Sequence, residues 1–231
     1  MHAKVPNLSI MKKAFSMIEL VIAIVVIGIL AVSIIPRIYS NRLQEAAEQV
    51  ISHIRYTQHL AMVDDKFDAK NADWYKERWQ IFFAKTDASD KKWAYTVFSD
   101  HAGESTGNPG ISEIAKNPLD MSKYLTAGYS SILHSDPKVT SELNIGKTYG
   151  ITDIVFSANC KKYSLRIAFD HLGRPLYDGS HLLDDAYRNG ANSQLIQNDI
   201  SGNPCVITLS SEEGSVKIAV EPETGYAHMI Y

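Results

Sequence analysis

Lys12-Lys13-Ala14-Phe15-Ser16-Met17-Ile18-Glu19-Leu20 sets a lone carboxylate at the entrance of a sixteen-residue uncharged run, Leu20 to Ile35. An acidic side chain at the centre of a membrane helix costs about 2.5–3.5 kcal/mol, and less near an end, so Glu19 needs a reason to be where it is. From Phe15 to Ile35 there are twenty-one residues with Glu19 the only charge. That is close to the roughly 20 that a helix needs to cross about 30 Å of hydrocarbon. Lys4, Lys12 and Lys13 precede the run with no acid in the first fourteen positions, a bias that predicts a cytoplasmic N-terminus. A secretory signal peptide is the competing reading, because a charged start, an apolar run and the small-x-small triplet Ala31-Val32-Ser33 are all present. Against it, Glu19 interrupts the run, the run exceeds the usual ~7–15 residues, and helical patterning continues beyond it in register.

That continuation is carried by Leu43, Ala46, Ala47, Val50, Ile51, Ile54 and Ala61, which recur at helical spacing while Arg42, Glu45, Glu48, Gln49, Ser52 and Arg55 take the other side. One helix from Phe15 to Met62 would be roughly 70 Å long at 1.5 Å per residue, so half of it would project into water. Pro36 falls inside it, where the ring removes a hydrogen bond and crowds the preceding turn, and a bend or local break is expected there. A helix end at Ile35 is disfavoured because no glycine or turn cluster follows. The expected organisation is residues 15–36 as a transmembrane half, residues 37–62 as an amphipathic half and residues 63–231 as a β-rich globular domain.

After Met62 the chain turns polar, and the remaining stretch of about 170 residues is long enough to enclose its own core. Trp79 to Ala84, Trp93 to Phe98, Asp153 to Ala158, Tyr163 to Phe169, Cys205 to Leu209, Val216 to Val220 and Tyr226 to Tyr231 read as strands. Gly173-Arg174-Pro175, Glu213-Gly214 and Thr224-Gly225 mark turns. The last three segments alternate and are joined by short turns, which predicts an antiparallel meander with one face against the helix stripe, an α+β fold. Gly103, Gly107, Asn108-Pro109-Gly110, Asn117-Pro118 and Asp136-Pro137 break up the region from Ser99 to Gly150, which reads, like Asp184 to Asn203, as a surface excursion.

Cys160 and Cys205 both flank predicted strands in the part expected to face an oxidising compartment, and they are expected to pair, with two buried thiols as the alternative. No catalytic constellation emerges, so the chain does not read as an enzyme. Cys160 beside Lys161-Lys162 would suit an activated thiol only if it had no disulfide partner. The eight histidines lack metal-ligand spacing. Asp64-Asp65 with Asp68, and Asp184-Asp185 after His181, lack the glycine and terminal glutamate of a calcium loop, so neither a metal nor a cofactor is expected. A formal net charge of −3, a pI of about 6.2 and the absence of a basic stripe with interleaved aromatics argue against nucleic acid as a partner.

At its N-terminus the chain resembles the type IV pilin and type II secretion pseudopilin superfamily, whose signature is a basic leader, a small residue and then Phe-Thr-Leu-Ile-Glu-Leu. Here Ala14 precedes Phe15-Ser16-Met17-Ile18-Glu19-Leu20, with alanine where the family usually has glycine. The resemblance implies that residues 1–14 are a leader removed by a prepilin peptidase between Ala14 and Phe15, a leader of four residues if translation starts at Met11. It implies that Phe15 is then N-methylated, that Glu19 is the assembly glutamate and that Pro36 is the proline where pilin helices loosen. Cleavage would create a cationic amine at Phe15. A carboxylate four residues along the same helix cannot comfortably reach it, whereas that of a neighbour shifted by one axial step can. Phe169 to Pro175, Val220 to Tyr226, and Arg55 with Gln58 and Ala61 resemble the late turn, closing hairpin and helix of an H-type minor pseudopilin. The implied protein is a structural subunit with a pilin-like fold. It would sit in the inner membrane by a single pass, with its N-terminus cytoplasmic and its domain periplasmic, and be extracted into a periplasm-spanning filament. Its implied partners are the peptidase, other pilins or pseudopilins and an inner-membrane assembly platform. A competence or surface pilus subunit is the near alternative, and a membrane-anchored periplasmic enzyme the distant one.

Overall fold

The computed structural model describes residues 16–101, 107–129, 132–160, 163–186 and 203–230, with backbone alone for residues 32–41. The chain divides into two compact units, Met1–Tyr39 and Ser40–Tyr231. Helix α1 (Met17–Val63) runs 47 residues and contributes to both. In the first unit its large apolar side chains from Met17 to Leu30 are exposed. In the second its stripe is buried: Ala46, Ala47, Val50, Ile54 and Thr57 are fully covered, and Ile51 and Ala61 nearly so. The period of three and four residues puts these positions on one face.

The strands follow in the order β1 (Trp79–Lys85), β2 (Trp93–Ser99), β3 (Lys116–Asn117), β4 (Asp120–Tyr124), β5 (Asp153–Phe156), β6 (Arg166–Phe169), β7 (Pro175–Leu176), β8 (Cys205–Ser211), β9 (Gly214–Val220) and β10 (Ala227–Ile230), with a single helical turn α2 (Ile145–Thr148) before β5. Two antiparallel four-stranded sheets result, β2-β1-β6-β7 and β10-β9-β8-β5, with β3-β4 as a separate hairpin. In the second sheet Cys205 faces Val220 and Ser211 faces Gly214, so the β8–β9 turn is Glu212-Glu213. One core takes in the α1 stripe, Ile81, Phe83, Tyr95 and Ile167 from the first sheet, and Phe156, Ile207, Leu209, Ile218 and Val220 from the second. Fully burying side chains of this size stabilises by about 1.5–3 kcal/mol each relative to exposure.

Strand β2 is buried almost throughout and β6 wholly, because the first sheet is covered on its far face as well. Ile114, Ile132 and Val139 pack there on Phe98, while Leu176 and Leu183 pack with Tyr75 and Ala168. The stretch from Ser99 to Gly150 is therefore not a surface excursion. Its breakers shape irregular backbone, yet its sparse apolar side chains are spent on covering a sheet.

Two expectations are corrected. The first is the fold as a long N-terminal helix, transmembrane then amphipathic, packed on a C-terminal antiparallel β-sheet domain, pilin-like. Strands form two sheets rather than one layer, because apolar residues on both faces of β1, β2 and β6 demand cover on both sides. Among the described residues no helix is long and apolar enough to cross a membrane. The second correction follows from the same finding: the location as a single-pass inner-membrane protein, N-terminus cytoplasmic and domain periplasmic, does not stand.

Candidate assembly and positioning sites

Ala14 and Phe15 lie outside the described residues, so the structure begins just past the expected cleavage site. Glu19 is at the start of α1, where it closes a capping box with Ser16. The Ser16 backbone N–H and hydroxyl donate to Glu19 Oε2 at 3.0 and 3.1 Å, and Glu19 N donates to Ser16 Oγ at 3.3 Å. Orphan amides of a first turn gain partners this way, and a carboxylate complements the positive end of the helix dipole. The Ser16-x-x-Glu19 spacing is a sequence-level signature of a helix start that the apolar run overshadowed. Beyond it Ile18, Leu20, Val21, Ile22, Ile24, Val25, Ile27 and Ile29 are exposed by half or more. Helical backbone continues through Pro36 without a break.

The turn from Phe169 to Pro175, the hairpin from Val220 to Tyr226 and the helix positions Arg55 and Gln58, far apart in sequence, meet at one place. Gln58 Nε2 donates to both Gly173 O and Thr224 O at 2.7 Å. The Arg55 guanidinium donates to Ala227 O at 2.8 and 3.2 Å and lies 5.2 Å from the centre of the Tyr226 ring. Buried Asp170 organises the turn, accepting from Leu172 N, Arg174 N and the Arg174 side chain at 2.7–3.0 Å. Gly173 and Gly225 have positive φ of 80° and 64°, and a Cβ at Gly225 would fall against Gly173 O. One side chain of α1 thus fixes two loops from different sheets.

Cys160 and Cys205 form a disulfide with Cα atoms 5.4 Å apart, both fully buried. It ties the chain just after β5 to the start of its neighbour β8, so the intervening segment can leave to build β6 and β7 without loosening the second sheet. The acidic stretch after α1 is used locally: Asp64 accepts from Trp79 Nε1 at 2.8 Å and pairs with Lys66 at 2.5 Å. Burial works against its charge, but those two donors outweigh it and hold the carboxyl below its usual range. Among the described residues no group of His, Cys, Asp and Glu is placed to hold a metal ion.

A second polar cluster is buried behind the first sheet. Arg166 Nη1 donates to Gly107 O at 2.6 Å and the guanidinium lies 4.0 Å from the Phe82 ring centre. Asp100 accepts from Gly107 N at 2.9 Å, and burial pushes its carboxyl up to about 6. His181 is lowered to about 4 by burial and by Arg166 beside it. In the main core His53 Nδ1 lies 2.6 Å from the Tyr95 hydroxyl, to which Gln49 also donates at 2.8 Å, and burial lowers His53 to about 4. Neither cluster was visible from spacing, since each is assembled from distant segments. No family model, curated protein or solved structure matches the chain.

Proposed function

We propose that the chain is a structural subunit, a minor pseudopilin or minor pilin, of a type II secretion pseudopilus or a type IV pilus, cut by a prepilin peptidase between Ala14 and Phe15. The observation that carries this reading is the helix that begins at a capped Ser16-x-x-Glu19 and leaves its apolar side chains from Met17 to Leu30 uncovered. Apolar surface of that extent marks a contact site, and like helices of neighbouring subunits are the partner that buries it. Glu19 of one subunit then meets the Phe15 amine of the next, a pair that is strongly directional in apolar surroundings. The domain beyond Ser40 contributes contacts between neighbours, and the force for assembly comes from other components.

N-terminal mass spectrometry of protein isolated from its own cells tests this. The expected mature chain begins at N-methylated Phe15. A mature chain beginning near Ile34, or an uncut chain in assembled material, overturns the proposal.

A further inference from the structure

A cleft of about 450 Å³ opens where α1 enters the domain at Arg42, between the β1–β2 loop, α2 and the β8–β9 turn. One lip is cationic: Arg42, Lys85, Lys91 and Lys92 line it, with the rings of Trp93 and Tyr149 between them. This lip is held in place. Trp93 Nε1 and Lys85 Nζ both donate to Thr152 O, at 3.0 and 3.1 Å, and the ammonium sits 4.8 Å from the Trp93 ring centre. In the β1–β2 loop Asp90 and Lys91 both adopt the left-handed region, with φ of 59° and 55°. Side chains with a Cβ disfavour that conformation, so the surrounding structure must impose it. It does: Thr86 and buried Ser89 cap one another through Thr86 N to Ser89 Oγ at 3.0 Å and Ser89 N to Thr86 Oγ1 at 3.1 Å, and buried Asn144 donates to Ser89 O at 2.9 Å. The outcome of the strained turn is two adjacent exposed ammonium groups facing the cleft. Among the described residues Lys91 makes only a loose pair with Asp87 at 3.8 Å, both side chains largely exposed, which water screens.

Glu212 and Glu213 of the β8–β9 turn line the same cleft, and among the described residues neither pairs with a cation. We propose that this cleft binds an acidic peptide segment, whose carboxylates lie against Lys91 and Lys92 while an apolar neighbour rests on Trp93 and Tyr149. The two-sign lining selects peptide over nucleic acid. A strand with a phosphate at every step meets Glu212 and Glu213 with like charge, whereas a peptide can place a neutral or basic residue there. That the segment belongs to a neighbouring subunit rests on the assembly reading above; the preference of the cleft for carboxylates does not.

The test is fluorescence anisotropy of the purified full-length chain with three labelled probes: a hexapeptide of two acidic residues, a phenylalanine, a glycine and two lysines; its amide counterpart with asparagine and glutamine in place of the acids; and a short thymidine oligonucleotide. The acidic peptide is expected to bind, the amide peptide at least about tenfold more weakly, and raised salt to weaken the former. Lys91→Glu with Lys92→Glu is expected to weaken the acidic peptide by about tenfold or more, Lys91→Gln with Lys92→Gln by less, and Glu212→Gln with Glu213→Gln to leave it unchanged or tighter. Equal binding of the two peptides, or indifference to the lysine changes, overturns the proposal. Tighter binding of the oligonucleotide, lost with the same lysines, overturns it in favour of a nucleic-acid groove. None of these readouts depends on whether the mature chain starts at Phe15, so failure here and failure of the assembly reading are told apart.

Discussion

Glu19 has a job inside its own chain, which changes what a substitution there reports. Its carboxylate accepts from the Ser16 amide and hydroxyl, so Glu19→Leu removes a helix cap as well as a charge. Loss of a cap of this kind costs about 1 kcal/mol of helix stability. Glu19→Gln separates the two roles, because glutamine serves at the same position of a capping box but cannot pair with an amine. If the proposed assembly role holds, recruitment into a filament is expected to fail for both variants, with peptide-level helix content at residues 16–30 kept by Gln and reduced by Leu. If Glu19→Gln assembles at the normal level, capping is the whole role of this residue. Gly225 is a second position where one atom decides the outcome. At φ 64° and against Gly173 O, an added methyl is strained and also displaces the carbonyl that Gln58 holds. Gly225→Ala is expected to cost about 2 kcal/mol or more in denaturant unfolding, well beyond the effect of alanine at an open positive-φ site such as Gly214.

Among the elements, the disulfide bears most directly on stability, since it closes a 45-residue separation that contains β6 and β7. In the loop-entropy model a closure of that length contributes about 4 kcal/mol, an upper figure. Reductant, or Cys160→Ser with Cys205→Ser, is expected to lower the unfolding free energy by about 2–4 kcal/mol; an unchanged denaturant midpoint would show that the two neighbouring strands alone hold the segment. The strands on either side of this bridge were legible from alternation and turn residues: Trp79, Trp93, Asp153 and Cys205 open β1, β2, β5 and β8. What escaped is equally physical. Strand β4, Asp-Met-Ser-Lys-Tyr, has no apolar alternation, and β3 and β7 are two residues long, the latter opening on Pro175, which only an edge strand accepts. The division of strands between two sheets also escaped, because pairing depends on burial of both faces and no local pattern encodes it. Of the functional positions, Arg55 and Gln58 were singled out on the helix, but their grip on Gly173, Thr224 and Ala227 is a product of folding. The basic cleft draws on α1, the β1–β2 loop and the turns around it, so no contiguous basic stripe in the sequence marks it.

Among the described residues three groups are moved far from their ordinary values within the range from about pH 4 to 6.5, and they pull in opposite directions. His53 and His181 titrate at about 4 in the fold against 6.5 in an open chain, because burial disfavours the imidazolium. Between those values the unfolded chain binds protons that the folded one refuses, so stability held above pH 6.5 is lost as pH falls toward 4. Asp100 behaves inversely: burial raises it from 3.8 to about 6, so the fold takes up a proton before the open chain does. Its contribution is complete below pH 3.8 and disappears as pH rises through 6. The windows overlap, and the balance goes to the histidines, two against one, with His53 bonded to the buried Tyr95 hydroxyl. His53 alone is on the order of 3 kcal/mol between pH 7 and pH 4; buried Asp100 opposes it and His181 adds to it. The unfolding free energy is therefore expected to fall by about 1–3 kcal/mol on going from pH 7 to pH 4.5. His53→Gln is expected to be less stable at pH 7 yet flatter across that range, since its amide retains a hydrogen bond to Tyr95 and takes up no proton. Denaturant titrations of both proteins at the two pH values decide the matter, and equal slopes would place the acid sensitivity outside the main core.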